Sequence, residues 1–480
     1  GATSGLTRQG IIGSLGERRD AKAVPVLLPL LGDADPGTAA AAAGALGRIG
    51  TADALDAVLA AAKAATGPVQ GAALEGALAG AERLKGNGNN ARVAGYYLAL
   101  LDPAFPKQIR MGAFRGLIEA QAAQAWPRLI VALAGPDDDL RNLAAQLVSE
   151  TKSSQQIRAF GDALPVLPPA GQIALLRGLA GKGDPAARSA AAAMLAVSDK
   201  QVRLAAIAAL ARLGGDKDAR TLAGYLGGDD ADIAAAAQGA LSKLDAKGVN
   251  EALATSFAAA NPAAREKLLR LLTDRGAAQA LPTAYNALKD EDSAVRVTAL
   301  RVFGMLAGTA DLPAIIEVAV TPADDAARTA AESALTDICS RAKNEALAGL
   351  AAAMNNATPE ARRTLLRALP AVATPEALAL LTPAVADADA GVQEEALRLL
   401  SDWPTVDAAP QLLELAKNPD EGKYVLGMRG YVRLARAEND PARKTELLNQ
   451  AMSLARRAEE KKMVVGAWGT LQAASTLDAL

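Results

Sequence analysis

The stretch DSAVRVTALRVFGMLAGTADLPAIIEVAV, residues 292–320, decides how the chain is read. It opens with Asp292, a side chain able to accept hydrogen bonds from the first unpaired amides of a helix. Val295, Thr298, Ala299, Val302 and Phe303 follow at the spacing that gathers side chains on one helical face. A break at Gly308 comes next, and a second apolar run starts at Leu312 and Pro313. The stretch spells two short helices and a turn. Taken alone, its Asp292 and Arg296 also resemble an acid–cation site.

The rest of the chain settles that ambiguity, because the pattern recurs. DKQVRLAAIAALARLGGDKDARTLAGYL (199–226), DPGTAAAAAGALGRIGTADALDAVLAA (35–61) and DAGVQEEALRLLSDWPTVDAAPQLLELA (389–416) share a polar start, a helix-period run, a break and a second apolar run. Anchors placed one residue before the recurrent arginine, or its equivalent, run from Thr7 to Met463 in steps of mostly about 29–34 residues, the length of two helices and two turns. Longer steps, of about 40 residues, precede Ile109 and Met463. The spacing predicts an all-α fold, an α-solenoid of about fifteen stacked helical hairpins forming a single continuous array over residues 1–480. The rhythm fails at about 83–108, where an irregular insertion is expected.

The punctuation agrees. Asp35-Pro36, Asp184-Pro185, Asn261-Pro262, Thr321-Pro322, Thr358-Pro359 and Asp440-Pro441 each put a capping side chain before a proline, which the first helical turn tolerates. Each pair is expected to start a helix. Asp199/Arg203, Asp292/Arg296 and Asp324/Arg328 repeat the four-residue spacing, and a catalytic pair is not normally copied once per repeat. The expected role is structural: aspartate caps its helix while arginine reaches a neighbouring carboxylate or carbonyl.

Composition narrows the function. The 480 residues carry a formal net charge of −2, so no basic excess points to nucleic acid or an anionic membrane. The chain has no histidine, which removes the commonest general base and zinc ligand. Its one cysteine, Cys339, lies in an apolar rhythm and reads as a small buried side chain. Charges, glycines or prolines interrupt every apolar run before it reaches the roughly 20 residues of a membrane span. Aspartates cluster at Asp33/Asp35, Asp137–Asp139, Asp229/Asp230, 290–292 and Asp387/Asp389 without the calcium-loop pattern, and fall where helix starts are expected. No enzyme activity, cofactor or metal is expected.

With these motifs in view, the D-x-x-V-R…A…A-L…L-G pattern followed by A-x-x-x-L-x-x-x-L resembles HEAT repeats, particularly the short bacterial kind. The resemblance covers nearly the whole chain and weakens at 85–108 and 151–170. It implies a scaffold that binds a protein or peptide on a concave surface made by one helix from each hairpin. Some relatives bind nucleic acid or handle chromophores; the first would need a basic concave strip with exposed aromatics. Residues 396–469 also resemble repeat segments of secreted bacterial multidomain proteins. This implies an extracytoplasmic home, periplasmic or secreted, with a cytoplasmic one as the alternative, and an accessory role beside further domains of the same polypeptide. The first and last helices both read as second helices of a hairpin, so at least one end is expected to adjoin more protein or a partner.

The candidate binding residues are aromatics at the irregularities. Tyr96, Tyr97, Phe105, Phe114 and Trp126 concentrate in 83–127, beside a Gly/Asn loop at 86–90, and Trp403 precedes Pro404 at a helix break. Aromatics anchor interfaces well because each buries a large area at little entropic cost. They also fill gaps in a distorted repeat, which is the preferred reading here for the 83–127 group. Of these, Tyr96, Tyr97, Phe105, Trp126 and Trp403 are singled out as candidate partner contacts.

Overall fold

A computed structural model describes residues 5–85, 90–121 and 125–469, and every regular element in them is helical. The chain divides into two compact units: Gly1–Leu222 with Asp230–Lys247, and Ala223–Asp229 with Gly248–Leu480. Each unit is a stack of helical hairpins, and the fold class is that of an all-α solenoid.

Within each unit the second helices of the hairpins form one layer. In the first unit these are Gly5–Arg18, Pro36–Ile49, Gly67–Leu84, Lys107–Gln121, Asp138–Glu150, Pro169–Lys182, Lys200–Leu213 and Ala231–Lys243, each packed on the next. In the second unit they are Pro262–Asp274, Ser293–Leu306, Asp325–Ala342, Pro359–Leu366 with Leu369–Val372, Ala390–Ser401, Glu421–Ala437 and Ala458–Trp468. Every sequence anchor from Thr7 to Met463 falls inside one of these helices. The first helices form the other layer and are often shorter. Val24–Leu27 and Pro375–Leu381, for example, continue only as the tight turns Leu28–Gly32 and Thr382–Ala386, each with a proline in its first turn.

Helix Ser293–Leu306 shows how sequence becomes structure. Asp292 accepts from the Ala294 and Val295 amides at 2.9 and 3.2 Å, satisfying two donors that the helix itself leaves unpaired. Val295, Thr298, Ala299, Val302 and Phe303 are buried, as their spacing predicts. Leu300 and Gly304 are buried too, because second helices Pro262–Asp274 and Asp325–Ala342 flank it on opposite sides. Three sides are thus covered, and the exposed residues narrow to Ala294, Arg301, Met305 and Leu306, with Val297 half-buried.

The pair at Asp292 and Arg296 is scaffold: the Arg296 amide donates to the Asp292 carbonyl at 3.1 Å, and their side chains turn to other partners. Arg296 donates to the Asp290 and Glu291 carbonyls at 2.6 and 2.9 Å and forms an ion pair with Asp324, the cap of the next second helix. Asp324 caps through the Ala327 amide at 2.7 Å and accepts from Ser293 at 2.8 Å. Equivalent links join Arg8 to Asp33, Arg110 to Asp137, Arg265 to Asp290 and Arg362 to Asp387, at 2.5–3.1 Å. The ladder is not uniform. Beside Arg203, Lys200 makes the link, to Asp230 and Asp232, and Arg328 pairs within its own turn with Asp325.

Five of the six residue–proline pairs cap helices as expected: Asp35, Asp184, Asn261, Thr358 and Asp440. Thr321 does not. It ends helix Leu312–Val320, its hydroxyl donating back to the Glu317 carbonyl at 2.7 Å, and Asp324 starts the next helix. A threonine hydroxyl can bond backward along the helix it closes, whereas the carboxylate of Asp324 is the stronger acceptor for the next helix's amides.

Small residues set the separation of the second helices. A Cβ on Gly47 would lie 2.3 Å from the Gly76 backbone, so Pro36–Ile49 and Gly67–Leu84 touch main chain to main chain. The same close approach brings Gly178 to the Ala145 carbonyl and Gly430 to the Ser401 backbone.

Candidate interaction faces

The aromatics singled out from the sequence are mostly inside. Tyr96, Tyr97, Phe105 and Trp403 are buried and Trp126 is half-buried. Tyr96 ties two first helices together: its hydroxyl donates to Asp56 at 2.8 Å and receives from Arg92 at 3.0 Å, and Arg92 also pairs with Asp56. Tyr97 lies with its ring where a Cβ on Gly116 would be, and its hydroxyl donates to Glu82 at 2.7 Å. Burial, with the Glu82 charge beside it, pushes the Tyr97 phenol well above its ordinary value. Trp403 is fully buried, its indole donating to the Thr405 hydroxyl at 3.1 Å while its carbonyl accepts from Arg433. These four rings hold the hairpins together and present no contact surface. Residues 86–89 of the Gly/Asn loop lie outside the described residues.

The irregular stretch nonetheless leaves an opening. Phe114 and Leu117 of helix Lys107–Gln121 form part of an apolar groove of about 390 Å³, walled by Leu101, Pro127, Val131 and Leu140. Arg128 and Asp137 supply its polar rim. Val131 is 71% exposed on its wall, a residue no sequence pattern had marked. The signal was available: Val131 sits in the apolar WPRLIVALA helix on the side that the buried Leu129, Ala132 and Leu133 do not use.

A second groove lies among the second helices of the second unit. It has a volume of about 660 Å³ and runs between Ser293–Leu306 and Asp325–Ala342. Val297 and Met305 form one wall; Ala326, Thr329, Ala330 and Ser333 form the other; Arg301 and Asp337 add charge. Met305 is 56% exposed. The groove exists because the small residues of one helix face the longer ones of its neighbour.

The aspartate clusters serve the turns. Asp33 accepts from the Asp35 amide and Asp387 from the Asp389 amide, while Asp137 and Asp230 cap helices. Among the described residues, no helix is long and apolar enough to cross a membrane, and Tyr285, on helix Ala280–Ala287, is the one exposed aromatic. It stacks obliquely on Phe303 with ring centres 6.0 Å apart.

Comparison with known proteins places this architecture. No curated protein sequence matches the chain. Among solved structures, the karyopherin Kap121p bound to the extreme C-terminus of the phosphatase Cdc14p is 12% identical, with 94% of this chain and 57% of that chain covered and a TM-score of 0.44. Importin beta is 14% identical over 96% of this chain and 78% of its own, with a TM-score of 0.40. This chain therefore spans little more than half the length of the Kap121p structures it matches. The family model for HEAT repeats matches residues 2–78, 250–336 and 347–425. Those three stretches make up half of the sequence, and the protein belongs to the HEAT-repeat family.

Proposed function

We propose that this protein is a non-enzymatic scaffold that binds an extended protein segment along the exposed face of its second helices. The observation that carries this reading is the groove that the second-helix layer leaves open. Second helices meet closely through glycine and alanine, as at Gly47 and Gly76, yet leave the 660 Å³ groove beside Val297 and Met305 open on their exposed side. Such a surface offers contacts repeated at every hairpin, so affinity accumulates from many modest contributions.

The test is site-specific photo-crosslinking. Peptides enriched from a random display library on the full chain are added to versions carrying a photo-crosslinking residue at Met305 or at Val131. Crosslinking at position 305 is expected. Crosslinking at 131 alone would move the binding site to the groove beside Val131 and defeat the proposal.

A further inference from the structure

The exposed face of the second unit carries a charge pattern that the inter-hairpin ladder does not require. Counting from each helix cap, the same position on six successive second helices holds Arg270, Arg301, Ser333, Arg367, Arg398 and Arg429. All six are exposed. The ladder arginines occupy an earlier turn and are more covered; the Arg296 side chain is 12% exposed and that of Arg398 64%. Arg301 and Arg429 form no ion pair among the described residues. Arg270 bonds to Glu266, Arg367 and Arg398 share Glu395, and Arg367 also pairs with Glu332.

Acidic residues flank parts of this line, while Arg363 and Arg433 hold flanking positions beside Arg367 and Arg429. Glu266 and Glu394 lie one turn before it, and Asp274, Asp337 and Asp402 one turn after. Neighbouring helices stand about 8–10 Å apart, and an extended chain advances about 3.3–3.6 Å per residue. Every third residue of a strand crossing the helices then meets an arginine. Where Ser333 interrupts the line, the 660 Å³ groove with Val297 and Met305 opens beside it, with room for an apolar side chain.

From this geometry we infer that the second unit binds an acidic peptide segment, with carboxylates at about every third residue and one apolar side chain seated between Arg301 and Ser333. The inference rests on the scaffold reading and names the chemistry of its partner. A nucleic acid fits less well. Its wide polyanionic backbone would meet Asp274, Asp337 and Asp402 one turn beyond the line, and no exposed aromatic among the described residues lies on this face to stack a base.

The experiment measures fluorescence anisotropy of two labelled probes on the full chain: a Glu-Ala-Val repeat peptide of roughly 18 residues, and a single-stranded oligonucleotide of equal length. The peptide should bind and weaken as salt rises. Arg301→Glu and Arg429→Glu should each weaken it roughly tenfold, while Arg177→Glu in the first unit should leave it unchanged. Unaltered melting temperatures and circular dichroism show that the variants are folded. If the peptide fails to bind, or Arg301→Glu and Arg429→Glu change nothing, the inference is wrong; tighter oligonucleotide binding lost in the same variants would replace the peptide with nucleic acid. Crosslinking of library peptides at Met305 separates the two ideas. Crosslinks there with no acidic preference would leave the scaffold standing and remove only the acidic partner.

Discussion

Arg296 reaches across to Asp324, twenty-eight residues along the chain, and leaves Asp292, one helical turn away, to its own helix. Asp324 thereby serves two hairpins at once. The Ala327 amide, the Arg296 guanidinium and the Ser293 hydroxyl hold its carboxyl at a pKa of about 2. An aspartate in the unfolded chain titrates near 4. Because the folded value is the lower one, the contribution is complete above about pH 4 and is lost as pH falls towards 2. Asp35, Asp137, Asp230 and Asp387 shift in the same direction, so acid acts on many turns together. Asp324→Asn should be less stable at neutral pH and lose less between pH 4 and 2, followed by denaturant melts; parallel acid profiles would refute the assignment.

Arg296→Ala should lower the melting temperature by about 2–4 °C, as expected for losing charge-assisted hydrogen bonds in a unit of this size. Arg301→Ala, on the exposed strip, should change it far less. Equal shifts would mean that the ladder has no special role. Neither change should abolish binding of a partner that docks elsewhere on the chain.

Gly47→Ala pits helix propensity against space. Alanine in a helix interior gains about 1 kcal/mol over glycine. The new Cβ, however, would sit 2.3 Å from the Gly76 Cα and carbonyl oxygen, and main-chain atoms cannot swing aside. Overpacking of this kind costs about 1–3 kcal/mol, so the net effect is destabilising. Gly71→Ala, with open space around the new Cβ, should be neutral or stabilising, and chemical denaturation separates the two.

Trp403→Ala should cost about 3–5 kcal/mol, because a fully buried ring is removed and its neighbours close only partly over the space. Trp403→Phe should recover much of that while still losing the bond to Thr405. A Trp403→Ala variant with wild-type melting and impaired peptide binding would restore the residue to the role of a contact.

Cys339 is fully enclosed, and burial pushes its thiol up to about 11. A thiol held in its neutral form without access is a poor nucleophile. Labelling with a thiol reagent at neutral pH should be slow in the native protein and complete within minutes of unfolding in denaturant. Fast native labelling would show that the Asp325–Ala342 helix opens readily.

The repeat architecture was legible because each hairpin restates its caps and its apolar spacing, so that DSAVRV and DKQVRL identify each other. What burial does to individual positions was harder to read. Leu300 and Gly304 lie off the main apolar stripe yet are covered, since a helix in a stack has neighbours on both flanks. Pro322 drew attention to Thr321, although Asp324, three residues on, makes the cap. Tyr97 fits because Gly116 faces it from a different helix, a pairing between distant positions with no periodic signature. For the aromatics, side-chain type alone did not separate filling a gap from standing at a surface; neighbouring helices decided it. Val131 and Met305, which do line open grooves, are ordinary apolar residues whose exposure comes from small partners opposite or from irregular spacing.

The turn at 290–292 has one more consequence. The Asp290 carboxylate accepts from Arg265 of the preceding hairpin and from the Asp292 amide, while its carbonyl accepts from Arg296. When a hairpin peels away, the turn that launches its successor loses an anchor. Loss of structure from an end of the second unit should then travel like an opening zip, each release loosening the next tooth, and amide exchange should advance hairpin by hairpin in chain order.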